Sequence, residues 1–135
     1  MVIVKYLILG LMVSLIQAFP ATASELSLSL ISQNLSDQRT RVQRDAFWAQ
    51  HKGKRVSFQG RVTDVKPKGW IMPMTVEMST RQRDLTISCQ VLDSNQSVAG
   101  RLSVGDNATC VGTWRDYLLL FGGLSLTIAD ATIQR

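Results

Sequence analysis

Histidine is almost missing from this chain of 135 residues; His51 is the only one. With just two cysteines, Cys89 and Cys110, the chain cannot supply the roughly four closely spaced Cys, His or carboxylate ligands of a zinc site. No metal or cofactor is expected. Gly-x-Ser-x-Gly, a phosphate loop and His-Glu-x-x-His are all absent. Ten carboxylates are present, but sequence spacing singles out no pair for glycoside hydrolysis. The expectation is therefore a protein without catalytic residues, not an enzyme. Proline occurs three times, and neither an internal repeat nor a low-complexity tract is present. The length suits one domain and is short for two. Like charges form no block; fifteen Lys and Arg are interspersed with ten acids, for a net charge of +5.

What is present begins with an export signal. Lys5 precedes the apolar run Tyr6–Ile16, Pro20 breaks it, and Ala21-Thr22-Ala23 gives the small-x-small pattern of a signal peptidase site. A retained membrane anchor is the alternative, but the run is short against the ~20 residues of a membrane span. Residues 1–23 are thus expected to be a cleaved signal peptide, and the mature protein periplasmic or secreted. Loss of Lys5 leaves fourteen basic residues against ten acidic ones. That balance suits an anionic partner and equally suits simple solubility. In an exported chain the two cysteines can form a disulfide. Leu85, Ile87, Cys89 and Val91 alternate on one strand face, and Ala108 and Cys110 on another, so both sulfurs point toward one core. A bridge is favoured over two separate buried thiols.

In order along the chain, residues 24–35 carry leucines that fit either a strand or a helix, with a helical or loosely ordered lead-in preferred. An amphipathic helix is expected from Ser36 to Gly53, capped by Ser36 or Asn34, with Leu35, Val42, Ala46 and Ala49 on its buried stripe. Phe47 and Trp48 are expected to plug one end of the barrel that follows. Gly53–Val65 reads as the organising strand: Val56, Phe58 and Val62 face in, and Arg55, Ser57, Gln59, Arg61 and Thr63 face out. Gly60 occupies an inward slot and suggests a bend or bulge. Further strands are expected at 74–79, 85–92, 108–114 (continuing to 121 after a kink at Arg115-Asp116) and 124–133. A short helix should fall between the third and fourth, and a Gly122-Gly123 turn before the last.

Three strands, a short helix and a closing hairpin describe a mainly β chain, a five-stranded OB-fold Greek-key barrel over residues 53–135, led by residues 24–52. Particular residues carry a family likeness: Lys52-Gly53-Lys54, Gly60, Gly105-Asp106, Gly112 and Ala129-Asp130-Ala131-Thr132-Ile133. In these the chain resembles the tRNA-anticodon-domain-like OB-fold family, many of whose members are small exported bacterial proteins. The resemblance implies a fold and a binding role; it transfers no functional residues.

OB-folds bind along the second and third strands, between the first and last hairpin loops. That expectation puts Lys66, Lys68, Trp70, Arg81 and Arg83 near one rim, and Arg115, Tyr117 and Phe121 near the last hairpin. For single-stranded nucleic acid the basic residues would form a groove, and Trp70 and Tyr117 stacking platforms. The plainer reading has the charges solvated and Trp70 and Trp114 packed on the barrel. The segment Trp70-Ile71-Met72-Pro73-Met74 is too apolar for a free loop, so Trp70 and Met72 are candidate partner contacts. The expectation is a non-enzymatic exported binding protein that contacts a protein or envelope component. Nucleic acid or an oligosaccharide is the alternative ligand.

Overall fold

The computed structural model describes residues 26–135. The expected signal peptide lies outside them. Two helices come first, α1 (Leu28–Asn34) and α2 (Arg41–His51). The strands follow as β1 (Arg55–Lys66), β2 (Thr75–Ser79), β3 (Leu85–Val91), β4 (Asn107–Leu120) and β5 (Gly123–Gln134). A 3-10 turn at Asp93–Asn95 runs into α3 (Gln96–Ala99), between β3 and β4.

The strands close into a barrel in the order β1-β2-β3-β5-β4. All neighbours are antiparallel except β3 and β5. Closure depends on β1 serving two partners. Its first half, Arg55–Arg61, pairs with β4, and its second half, Arg61–Lys66, pairs with β2. The strand changes partner at Gly60-Arg61, where a bend or bulge was expected. A Cβ on Gly60 would stand 2.6 Å from the Ser79 carbonyl oxygen, which is why no side chain occupies that inward slot. The bulge itself falls a little later, between Val62 and Asp64.

Period-two alternation fills the interior. Val56, Phe58 and Val62 point in from β1 and meet Met78, Ile87 and Ile128 from other strands. Cys89 and Cys110 are fully buried and joined by a disulfide, with Cα atoms 6.3 Å apart. Because β5 separates β3 from β4 in the sheet, the bridge spans strands that do not hydrogen-bond to each other.

The helices differ from expectation in two respects. The helix after the lead-in starts at Arg41, not Ser36, because Thr40 caps it: its Oγ1 accepts the Gln43 amide while the Gln43 side chain accepts the Thr40 amide. Its packed face is also not the aliphatic stripe. Val42 is 77% exposed, and Ala46 and Ala49 are exposed too. Phe47, Trp48 and His51 turn toward the barrel instead, since aromatic rings bridge a gap that alanine cannot. Trp48 meets Trp114 edge-on at 4.8 Å, so the two aromatics cover the barrel as expected. The lead-in is helical, with Ser27 capping α1 and Ile31 and Leu35 fully buried.

Candidate binding face and loops

The face that an OB-fold offers to ligands is built here from short polar side chains. Buried Val76, Met78, Ile87 and Cys89 alternate with outward residues, and the register pairs Glu77 with Ser88 and Ser79 with Thr86. Glu77 sits mid-face: Ser88 Oγ donates to its carboxylate at 3.3 Å, and Lys66 Nζ lies 3.5 Å away. No aromatic ring lies on this part of β2 and β3. The face can hydrogen-bond a ligand but offers nothing on which to stack one.

Loops at opposite ends of β2 flank this face. The β1–β2 loop runs from Lys66, which pairs with Thr75 at the start of β2. Gly69 N–H donates to the Met72 carbonyl at 2.9 Å, closing a tight turn, and Thr75 Oγ1 donates to the Pro73 carbonyl behind it. The turn holds its tip away from the barrel, leaving Trp70 98%, Ile71 82% and Met72 55% exposed. The candidate partner residues Trp70 and Met72 are thus adjacent and in solvent, with Ile71 a third member. Lys68 lies 3.3 Å from Asp93 and Lys66 is held by Glu77, so carboxylates offset both loop lysines.

Arg81 and Arg83 sit in the β2–β3 turn, at the far end of β2 from Lys66, Lys68 and Trp70. The expected single rim is therefore two separate clusters. The cause is the antiparallel register, which sends a loop before β2 and a loop after it to opposite ends of the strand. Both arginines are exposed and have no ion-pair partner among the described residues. Their turn is tied to the last hairpin, because Leu124 N–H donates to the Asp84 carbonyl at 2.7 Å.

Arg115 and Tyr117 belong to neither loop. Arg115 occupies a bulge between Trp114 and Asp116, at the expected kink, and reaches Asp130 at 3.9 Å. Tyr117 packs edge-on against Trp48 at 5.4 Å, which makes it a helix-docking residue and not a free platform. Trp114 is fully buried, with its indole N–H donating to the Asp116 carbonyl, whereas Trp70 does not pack on the barrel. His51 also faces inward, with its ring 4.5 Å from Phe47. Partial burial, and secondarily the charge of Lys54, lowers its pKa below the ordinary 6.5. Among the described residues no group of three or more His, Cys, Asp or Glu stands ready to hold a metal.

Sequence pattern alone does not bring Glu77, Ser79, Thr86 and Ser88 together as one outward polar set. The alternation of β2 and β3 sets the face each takes, but only the pairing register brings the four together.

No family model and no curated protein matches the chain. Solved structures do. The crystal structure of a "putative nucleic acid-binding lipoprotein" from Klebsiella pneumoniae subsp. pneumoniae MGH 78578 is similar with a TM-score of 0.55 at 20% identity, covering 87% of this chain and 100% of that one. OBody NL8, bound to hen egg-white lysozyme, has a TM-score of 0.43 at 18% identity, covering 61% and 96%. OBody AM3L09, bound to the same protein, has a TM-score of 0.46 at 17% identity, covering 64% and 86%. At 20% identity the first likeness bears on the fold alone. Strand order and chain likeness together make this an OB-fold protein.

Proposed function

We propose that this protein is a non-enzymatic, exported OB-fold binding module that docks a protein or other component of the cell envelope through its β1–β2 loop. One observation carries the reading: three consecutive large apolar side chains, Trp70, Ile71 and Met72, stand in solvent at the tip of a hydrogen-bonded turn. Burying a side chain of this size is worth about 1.5–3 kcal/mol, which a free loop forgoes and a partner recovers. Trp and Met are well suited to such a contact, the first as a rigid anchor and the second as an adaptable one. Export rests on the leader pattern of residues 1–23 and on the buried disulfide. The tRNA-anticodon-domain-like resemblance is compatible with this role.

A photo-crosslinking residue at position 71, introduced in cells, should give a discrete adduct that Trp70→Ala and Met72→Ala each reduce. An adduct pattern unchanged by both substitutions, with the barrel still folded, would rule the loop out.

A second reading, single-stranded nucleic acid, is favoured by the free guanidinium groups of Arg81 and Arg83 and by the name of the Klebsiella structure. Against it stand Glu77 at mid-face and the ion-paired lysines. A salt series with a single-stranded oligonucleotide separates the two readings, because phosphate contacts weaken steeply with ionic strength. No binding at low salt removes the second.

A further inference from the structure

A closed barrel has no free sheet edge, yet this one leaves a short edge open. β1 pairs with β4 only from Asn107 to Thr113, and its ladder ends where Trp114 N–H meets the Lys54 carbonyl. β4 nonetheless continues to Leu120 with β5 on one side, through Tyr117↔Leu126, Leu118↔Ser125, Leu119↔Leu124 and Leu120↔Gly123. Among the described residues no strand pairs with its other side. Phe121 and Gly122 form the two-residue turn, both left-handed, at φ 46° and 83°. A two-residue hairpin loop makes the flanking Leu120–Gly123 pair a hydrogen-bonded one, so the next pair, Leu119–Leu124, is not. Leu124 accordingly sends its N–H to Asp84, and by the same alternation the N–H and C=O of Leu119 point to the open side. Tyr117, two residues back, turns the same way, and its N–H is met by the carboxylate of Asp116.

The side chains at this edge are apolar. Leu118 is 56% exposed, Leu120 53% and Phe121 fully exposed. Edges are ordinarily protected by Lys, Pro or an inward charge, and Tyr117–Phe121 contains none of these. Phe121 also holds a left-handed backbone that strongly favours Asn or Gly, which keeps an aromatic ring at the hairpin tip against local preference.

We propose that a second copy of this chain covers this edge, with the two β4 strands antiparallel about a two-fold axis at Leu119. The sequence is self-complementary in that register. Leu119 of each copy exchanges its open N–H and C=O with its counterpart. Leu118 faces Leu120 of the other copy in the closely spaced, non-hydrogen-bonded position. Tyr117 falls opposite the Phe121 tip. A two-fold contact uses one patch twice, so a single apolar edge closes on itself and generates no filament. The surface is separate from the β1–β2 loop, so the dimer stands or falls independently of the proposed partner contact.

Sedimentation equilibrium of the purified, disulfide-bonded protein over a concentration series tests this. The expected wild-type result is a dimer, with Leu118→Lys weakening association about tenfold or more because two cations are buried against leucine. The double variant Leu118→Lys/Leu120→Glu should then recover dimerisation, since the register sets each lysine opposite a glutamate of the other copy. Far-UV circular dichroism confirms that each variant is folded. A wild type that stays monomeric, a dimer indifferent to Leu118→Lys, or a double variant that remains monomeric would each overturn the proposal. The first two results would leave the edge to an extended segment of a different protein, and the third would exclude this register.

Discussion

Gly60 and Gly112 show how much of the barrel depends on a missing methyl group. A Cβ at Gly60 would stand 2.6 Å from the Ser79 carbonyl oxygen, and one at Gly112 would stand 2.6 Å from that of Ala129. Neither obstacle is a side chain that can swing aside, so Gly60→Ala and Gly112→Ala should each destabilise the fold by about 1–3 kcal/mol in urea unfolding. Gly53→Ala is a useful contrast, for its Cβ would meet nothing within 4 Å and its cost is the strain of φ +80° alone. His51 is the other sensitive residue. Its Nδ1 has no hydrogen-bond partner, and its pKa is lowered first by desolvation and then by Lys54. The unfolded chain therefore takes up the proton first as the solution is acidified. The neutral ring's contribution is complete above 6.5 and is lost as pH falls through the lowered folded-state value. Melting temperature should hold above pH 6.5 and decline as the solution is acidified below it, and His51→Gln should flatten that slope. An equal slope in the variant would place the acid sensitivity elsewhere.

At the level of elements, local chemistry set boundaries more sharply than hydrophobic pattern did. Ser36 and Asp37 look like a helix start, but Thr40 and Gln43 complete a reciprocal capping box, and that box is where α2 begins. Thr40→Ala should cost about 1 kcal/mol of stability, measured by chemical unfolding. The last hairpin teaches the same lesson in reverse. Gly122-Gly123 reads as the turn, yet the loop is Phe121-Gly122, and Gly123 already pairs with Leu120. A one-residue displacement of the turn decides which leucines face out. Phe121→Asn relieves the left-handed strain and should raise stability by about 1 kcal/mol. If stability rises while dimerisation weakens, the aromatic tip is kept for contact and not for folding. β1 was the most legible element, because its alternation survives in the folded chain from Val56 through Val62.

Across the whole molecule, the Cys89–Cys110 bridge ties β3 to β4 through the core, over a separation of 21 residues. Reducing it, or replacing both cysteines with alanine, should lower unfolding free energy by about 3 kcal/mol. Since both sulfurs are fully buried, thiol reagents should label the protein only after reduction and unfolding. The placement of the candidate contact residues is also a property of the whole. The five loop residues expected on one rim divide between the two ends of β2, with Trp70 on one side and the arginine turn beside the last hairpin on the other.

Sequence alone determined the barrel, because alternation in five segments, a helix between the third and fourth and glycines at fixed places leave few other closed arrangements. It favoured the disulfide over two separate buried thiols, since inward phase on two strands brings both sulfurs to one core, and the folded chain joins them. Tertiary structure alone decided which exposed side chains are neighbours. Period-two patterning says which face a residue takes, but the distance between faces is fixed by pairing register and strand order. Those depend on turns that shift by a single residue and on contacts between segments far apart in the chain. Trp70 on a free tip and Trp114 at the centre of the core are equally tryptophan in the sequence; only the packing around them separates a candidate contact from a structural anchor.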